Sequence, residues 1–232
     1  MRIAIHQPNC LPNLAYFYKM ASADLFVVVT NLQFEKLEGW QRRNKIRGAH
    51  GDIWLTVPIT GSRTQKIRDV RIDNASDWRS RHPKCIRHSY GSTRELDALE
   101  ALTRLYDREW DRLADFNLAT IFLIREMLGI TTPVVVDEEV TGVKHDLILR
   151  VCRKYGATSY LSGLGAQCYS NAAALRTFAE EGVGHEYVDW DFSIGYPYSA
   201  LHYLLTEGVA DTRGLLGVQS FGLPQPALAF AA

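Results

Sequence analysis

Two helix-to-strand units in tandem constrain this chain more than any other feature of its sequence. Over residues 142–155, Leu147, Ile148, Val151, Cys152 and Tyr155 recur at three- and four-residue spacing. Thr141 stands where a cap is wanted and Gly156 where a left-handed stop is wanted, and the run Ser159-Tyr160-Leu161 follows at once. A second helix, over 115–128, sets Leu118, Ile121 and Phe122 on one face, ends at Gly129 and leads into Pro133-Val134-Val135-Val136. Strands joined through a helix pair in parallel. Apolar runs at 25–30, 53–59, 134–137 and 159–161 alternate with such helices, so the expected class is α/β, a largely parallel sheet flanked by helices. The stretch 60–110 reads differently. It holds an alternating strand at 67–72 and a tryptophan-anchored, strongly basic helix at 76–90, which together predict a mixed α+β insertion able to form a subdomain within one domain spanning 1–232. The Pro-, Ala- and Gly-containing tail, 222–232, predicts weak order.

Charge balance narrows the function classes. Across 232 residues, 26 Lys and Arg face 26 Asp and Glu, so no net field draws the chain to DNA or to an anionic membrane. No run approaches the roughly 20 apolar residues of a membrane span. Arg2 is followed by too few apolar residues for a secretory signal, and the expected location is the cytoplasm. Cys10, Cys85, Cys152 and Cys168 show no C-x-x-C or other metal spacing and are expected as thiols there. None of the seven histidines falls in H-E-x-x-H, so neither a metal nor a cofactor is expected.

Chemistry concentrates at three strand ends. The opening strand Ile3-Ala4-Ile5 runs into His6-Gln7-Pro8-Asn9-Cys10-Leu11-Pro12-Asn13, where two prolines stiffen the backbone and end the ladder. His6 is a candidate acid or base, and Gln7 and Asn9 are candidate donors to a reacting oxygen. Cys10 is a candidate nucleophile, with an inert buried thiol as the alternative. After the second strand, Gln33, Lys36, Arg43 and Lys45 gather donors suited to a carboxylate or phosphate, with a solvated loop as the alternative. At the end of the later strand, Ser162, Gly163 and Gly165 expose backbone amides to a ligand, with a structural turn as the alternative. All three loops follow strands, which predicts that they meet in one cleft.

Taken together, I-A-I-H-Q-P-N-x-L-P, L-Q-F-E-K, Q-R-R-N-K-I, L-T-V-P-I, W-R-x-R-H ending in S-Y-G, and Y-L-S-G-x-G-A-x-x-Y resemble the WbqC-like family, in the family's order from residue 1 to about 200. The resemblance points to His6, Gln7, Pro8, Asn9, Gln33, Lys36, Arg43 and Asn44, and further along to His82, Tyr90, Ser162, Gly163, Gly165 and Tyr169. Two positions depart from it: Cys10 stands where tyrosine is common and Asn13 where tryptophan is common. The first argues against a family-wide nucleophile, and the second exchanges an aromatic wall for a small polar group.

Relatives of this kind occur among O-antigen and other biosynthetic genes, and the family is suggested to include glycine transferases. The resemblance therefore implies a transferase that moves an acyl or aminoacyl group, glycyl being the family's suggestion, onto an amine or hydroxyl of a sugar or natural-product intermediate. A carrier-protein thioester, an aminoacyl-tRNA or an acyl-CoA would supply the activated carbonyl. His6 would deprotonate the acceptor, with Gln7, Asn9 or the backbone at 162–165 facing the oxyanion and Lys36 and Arg43 holding an anionic group. Two other readings stand beside it: a nucleotide-binding enzyme of the adenylyltransferase kind, though the paired histidines of such enzymes are absent here, and a non-catalytic scaffold in a biosynthetic complex.

Overall fold

The computed structural model describes residues 1–34, 39–61, 64–163, 172–191, 193–194 and 197–217. Lys36, Gly165, Cys168, Tyr169 and the tail at 222–232 lie outside the described residues. In chain order, β1 (Arg2–His6), α1 (Leu14–Ala21) and β2 (Leu25–Val29) come first. The hairpin β3 (Arg43–Gly48) and β4 (Gly51–Thr56) follows, then the short pair β5 (Ile59–Thr60) and β6 (Arg71–Ile72). Next are α2 (Trp78–Tyr90), α3 (Leu96–Arg104), α4 (Leu113–Met127), β7 (Val134–Asp137), α5 (Lys144–Tyr155) and β8 (Ser159–Ser162). The described chain closes with α6 (Ala172–Glu180), β9 (Gly184–Tyr187), α7 (Ala200–Thr206) and α8 (Val209–Leu215).

Five strands form one sheet in the order β7-β2-β1-β8-β9, every neighbouring pair parallel. Numbered by their appearance in this sheet they run third, second, first, fourth, fifth, so the direction of winding reverses between β1 and β8. Near-continuous apolar runs make such strands because both faces are covered. Ala4, Phe26, Val28 and Leu161 face a large core built with α1, α4 and the insertion. Ile3, Ile5, Val27, Val29 and Tyr160 face a second core with α5 and α6. Burying side chains such as Phe17, Phe26 and Phe116 completely stabilises the fold by roughly 1.5–3 kcal/mol each relative to exposure.

The parallel α/β class is the one expected, and four local expectations need correction. The run 53–59 is no sheet strand. Gly48 and Gly51 bracket a two-residue turn, Gly51 at a φ of +129° that favours glycine, and so short a connection can only return the chain antiparallel onto β3. The mixed insertion accordingly begins near Arg43 rather than at 60. The run 67–72 is a 3₁₀ turn over Ile67–Asp69 before β6, because Ile67 and Val70 are buried at a spacing of three, not two. Thr141 caps nothing: Gly142 and Lys144 both take positive φ, and α5 starts from Val143 without a side-chain cap. Its predicted end is as expected, with Gly156 left-handed at φ +67°.

Candidate functional site

The two inner ladders end at different heights. Pairing of β1 with β2 continues to His6–Val28, and that of β8 with β9 to Ser162–Tyr187, whereas β1 with β8 stops at Ala4–Leu161. The carboxyl ends of β1 and β8 thus form a fork at the point where the winding of the sheet reverses, the place where open parallel sheets take their ligands. His6, Gln7, Ser162 and Gly163 are its tips.

One buried cation reaches this fork. Lys19, on α1 and only 5% exposed, donates from Nζ to the Ile5 carbonyl at 2.8 Å, and its ammonium lies 5.7 Å from the Tyr160 ring centroid. Among the described residues no carboxylate comes within salt-bridge distance of it. Burial pushes the amine down to about 7. Beside it, His6 packs at 4.6 Å against the Tyr16 ring, whose buried hydroxyl has no partner among the described residues. His6 Nδ1 donates to the Gln7 carbonyl at 3.0 Å. A carbonyl only accepts, so the proton sits on Nδ1 and Nε2 presents a lone pair. Burial first, and the Lys19 charge second, press this imidazole down to about 3, against the bond to Gln7 that favours the charged form. His6 is neutral across the physiological range.

The loop after β1 is bolted down by donors and acceptors from the insertion and the helices. Asn117, buried on α4, donates to the Pro8 carbonyl at 2.8 Å and to the Gln41 carbonyl at 2.6 Å. Gln41 Nε2 donates to Gln7 Oε1. The Cys10 amide donates to the Trp40 carbonyl, and the Ala200 amide to that of Pro12, both at 2.7 Å. Asn44 Nδ2 holds the Leu11 carbonyl at 2.7 Å. This matters because Leu11 sits at φ +43°, a conformation worth about 1–3 kcal/mol of strain that persists only where the surroundings enforce it. Asn13 then caps α1, its Oδ1 accepting from the Tyr16 amide at 3.2 Å, which stabilises by about 1 kcal/mol. A small polar residue at that position therefore has a local reason. Cys10 is fully buried and its thiol is raised to about 12 by burial, the state of an inert core cysteine.

The sequence-predicted residues fall into separate groups. His6, Gln7 and Asn9 share the first loop, and among the described residues Gln7 Nε2 and the Asn9 side chain have no protein partner. Ser162 is buried, its Oγ donating to the Gly163 carbonyl at 3.2 Å. Among the described residues a Cβ placed on Gly163 would meet nothing within 4 Å. Asn44 supports the loop from behind. Arg43 lies on the other face of the hairpin, its guanidinium 4.6 Å from the ring centroid of the exposed Trp54. His82, lowered to about 4 by burial, lines with Trp54 and Trp78 a cavity of about 280 Å³. Gln33 is exposed and bridges Lys66. The Tyr90 hydroxyl accepts from the Arg47 amide at 3.1 Å and meets His202 Nδ1 at 3.0 Å, tying the hairpin to α2 and α7.

Sequence reasoning missed Lys19, Gln41 and Asn117. It also missed Asp137 at the end of β7, which accepts from Lys154 Nζ, Tyr155 OH and the amides of Glu139 and Val140. Burial alone would raise this carboxyl, but those bonds outweigh it and hold it at about 2. Its acceptors are filled, and it anchors the turn after β7. Among the described residues no group of three or more His, Cys, Asp or Glu could hold a metal, and no helix is long and apolar enough to cross a membrane.

Comparison with known proteins agrees with the motif pattern. The WbqC-like protein family matches residues 7–207. An uncharacterized protein of Mycobacterium tuberculosis, Rv1507c, is 29% identical over 196 residues, covering 82% of this chain and 83% of that protein. No solved structure matches the chain.

Proposed function

The chain belongs to the WbqC-like protein family, and we propose that it is an acyl or aminoacyl transferase, glycyl being the group the family suggests, working in the fork between β1 and β8. Its acceptor would be an amine or hydroxyl of a sugar or natural-product intermediate, and its donor a carrier-protein thioester, an aminoacyl-tRNA or an acyl-CoA. The observation that carries this reading is the lone pair of His6 Nε2, without a partner among the described residues and held by a locked loop at the reversal point of the sheet. In the transfer, the acceptor's O–H or N–H proton passes to Nε2 as its oxygen or nitrogen bonds to the donor carbonyl carbon. Gln7 Nε2 and Asn9 Nδ2, loop donors without a partner among the described residues, face the oxygen that gains charge. Collapse of the adduct expels the thiolate or alkoxide, and the proton returns from the imidazole to it.

His6→Gln keeps the size and polarity of the side chain but removes the base. General-base assistance is worth about 10² to 10⁴ in rate, and a base held as low as His6 stands at the weak end of that range, so transfer, followed by mass spectrometry of the acceptor, should fall by about 10² with the melting temperature nearly unchanged. A fallen melting temperature with near-normal turnover would make His6 structural and refute the assignment.

The strand order supports a second reading. A third-second-first-fourth-fifth order is that of nucleotide-binding parallel sheets, whose ligand crosses the same reversal point. An adenylyltransferase-like enzyme would release pyrophosphate from ATP in the presence of its acceptor, which the transferase would not.

A further inference from the structure

We propose that the fork between β1 and β8 is an anion-binding subsite whose receiving group is Lys19, and that an anion entering it is bound together with a proton. The inference deepens the transfer reading and rests on it only for the identity of the molecule. It says that the occupant carries a carboxylate or a phosphate at the end that reaches the floor of the fork.

The argument begins with unmatched charge. An ammonium removed from water is costly unless an opposite charge accompanies it, and a structural role needs no charge at all, since a neutral amide donor would satisfy the Ile5 carbonyl equally well. Lys19 has three N–H donors and uses one on Ile5. Among the described residues, the titratable groups around it are His6 from β1, Tyr160 from β8 and Tyr16 one turn back on its own helix, none of them acidic at neutral pH. A second observation points the same way. Tyr16 is buried, its hydroxyl has no partner among the described residues, and it lies three residues from Lys19 on the same side of α1, its ring against His6. Two under-satisfied donors on the helix that packs its Tyr16 ring against His6 match an anionic oxygen.

Proton coupling follows from the same burial. With its amine lowered to about 7, Lys19 is mostly neutral at about pH 8, and an anion that binds the charged form must bring a proton with it. The anion also cancels the Lys19 charge, which is the second cause of the depressed His6. Where Lys19 is already charged, below about pH 7, occupation of the fork therefore raises the basicity of His6.

The test needs no turnover. Acetate stands for a carboxylate and sulfate for a phosphate, because neither titrates near neutral pH. Each is titrated into the full chain by calorimetry at about pH 8 in two buffers of different ionisation heat. We expect one of them to bind with uptake of close to one proton. Lys19→Met should lose the uptake and weaken binding at least tenfold, and Lys19→Arg, always charged, should bind without uptake. Failure of both anions to bind, binding by the wild type without uptake, or equal uptake by Lys19→Met would each overturn the proposal. Coupled binding in a protein inactive with every acyl donor would uphold the subsite and remove the transfer reading instead.

Discussion

Replacing Lys19 by methionine should make the protein more stable at neutral and acid pH and erase a pH dependence that the wild type carries. The amine falls from 10.5 to about 7 on folding because α1 buries it against the end of β1. Between those two values the unfolded chain binds more protons than the folded one, so wild-type stability rises with pH through that window, and the full penalty applies below about 7. At about 1.4 kcal/mol per decade the fall corresponds to roughly 5 kcal/mol. Methionine keeps most of the volume and removes the charge, but it leaves the Ile5 carbonyl without its donor, which costs about 1–3 kcal/mol. The variant should therefore be about 2–4 kcal/mol more stable than the wild type at around pH 6, and about 1–3 kcal/mol less stable at around pH 10.5. Urea unfolding of both proteins across that range gives the difference directly, with the other titrating groups common to both. Parallel stability curves would refute the reasoning, because the amine would then titrate alike in folded and unfolded chains.

Other residues give expectations of different kinds. Asp137→Asn should lower stability at neutral pH by about 1–2 kcal/mol, discounted because Lys154 is partly in water. Since its folded value is held from 3.8 down to about 2, the wild-type advantage should be present above about 4 and disappear as pH falls through 2, read from acid unfolding. Asn117→Ala removes the donor shared by the Pro8 and Gln41 carbonyls and should cost about 2–4 kcal/mol. Its amide hydrogens at 7–11 should exchange faster than those of β2, and equal protection would show that the loop is held by other means. Cys10→Ser should keep most of the transfer activity, because a thiol raised to about 12 in the core is no nucleophile. An acyl thioester trapped on Cys10 would contradict that.

What the sequence revealed and what it hid follow from how each signal is produced. Parallel strands were legible because helix periodicity switching to a short apolar run is a local property, as in α5 with its Gly156 stop before β8. The hairpin was misread because 53–59 is as apolar as a sheet strand, and only the tight turn at 48–51 says which strand it meets. His6 was legible from its place at a strand end before proline. Its chemistry was not, since the depressed basicity comes first from burial and second from Lys19, thirteen residues away and on another element. Asn117 and Gln41 serve the loop over separations of 109 and 34 residues, which no window of sequence reports. Lys19 left a trace that was overlooked. On α1 the partly exposed positions are Ala15, Tyr18 and Ala21, whereas Lys19 is buried like its neighbours Tyr16 and Met20. A lysine serving only solubility would stand on the exposed stripe. A single cation on the buried one, on the helix that follows the first strand, can be reconciled with an apolar core only if something charged comes to meet it or if it gives up its proton. Both outcomes lead to the fork, because the Cα–Cβ bonds of a helix tilt toward its N-terminus, and the N-terminus of α1 is where β1 delivers the chain.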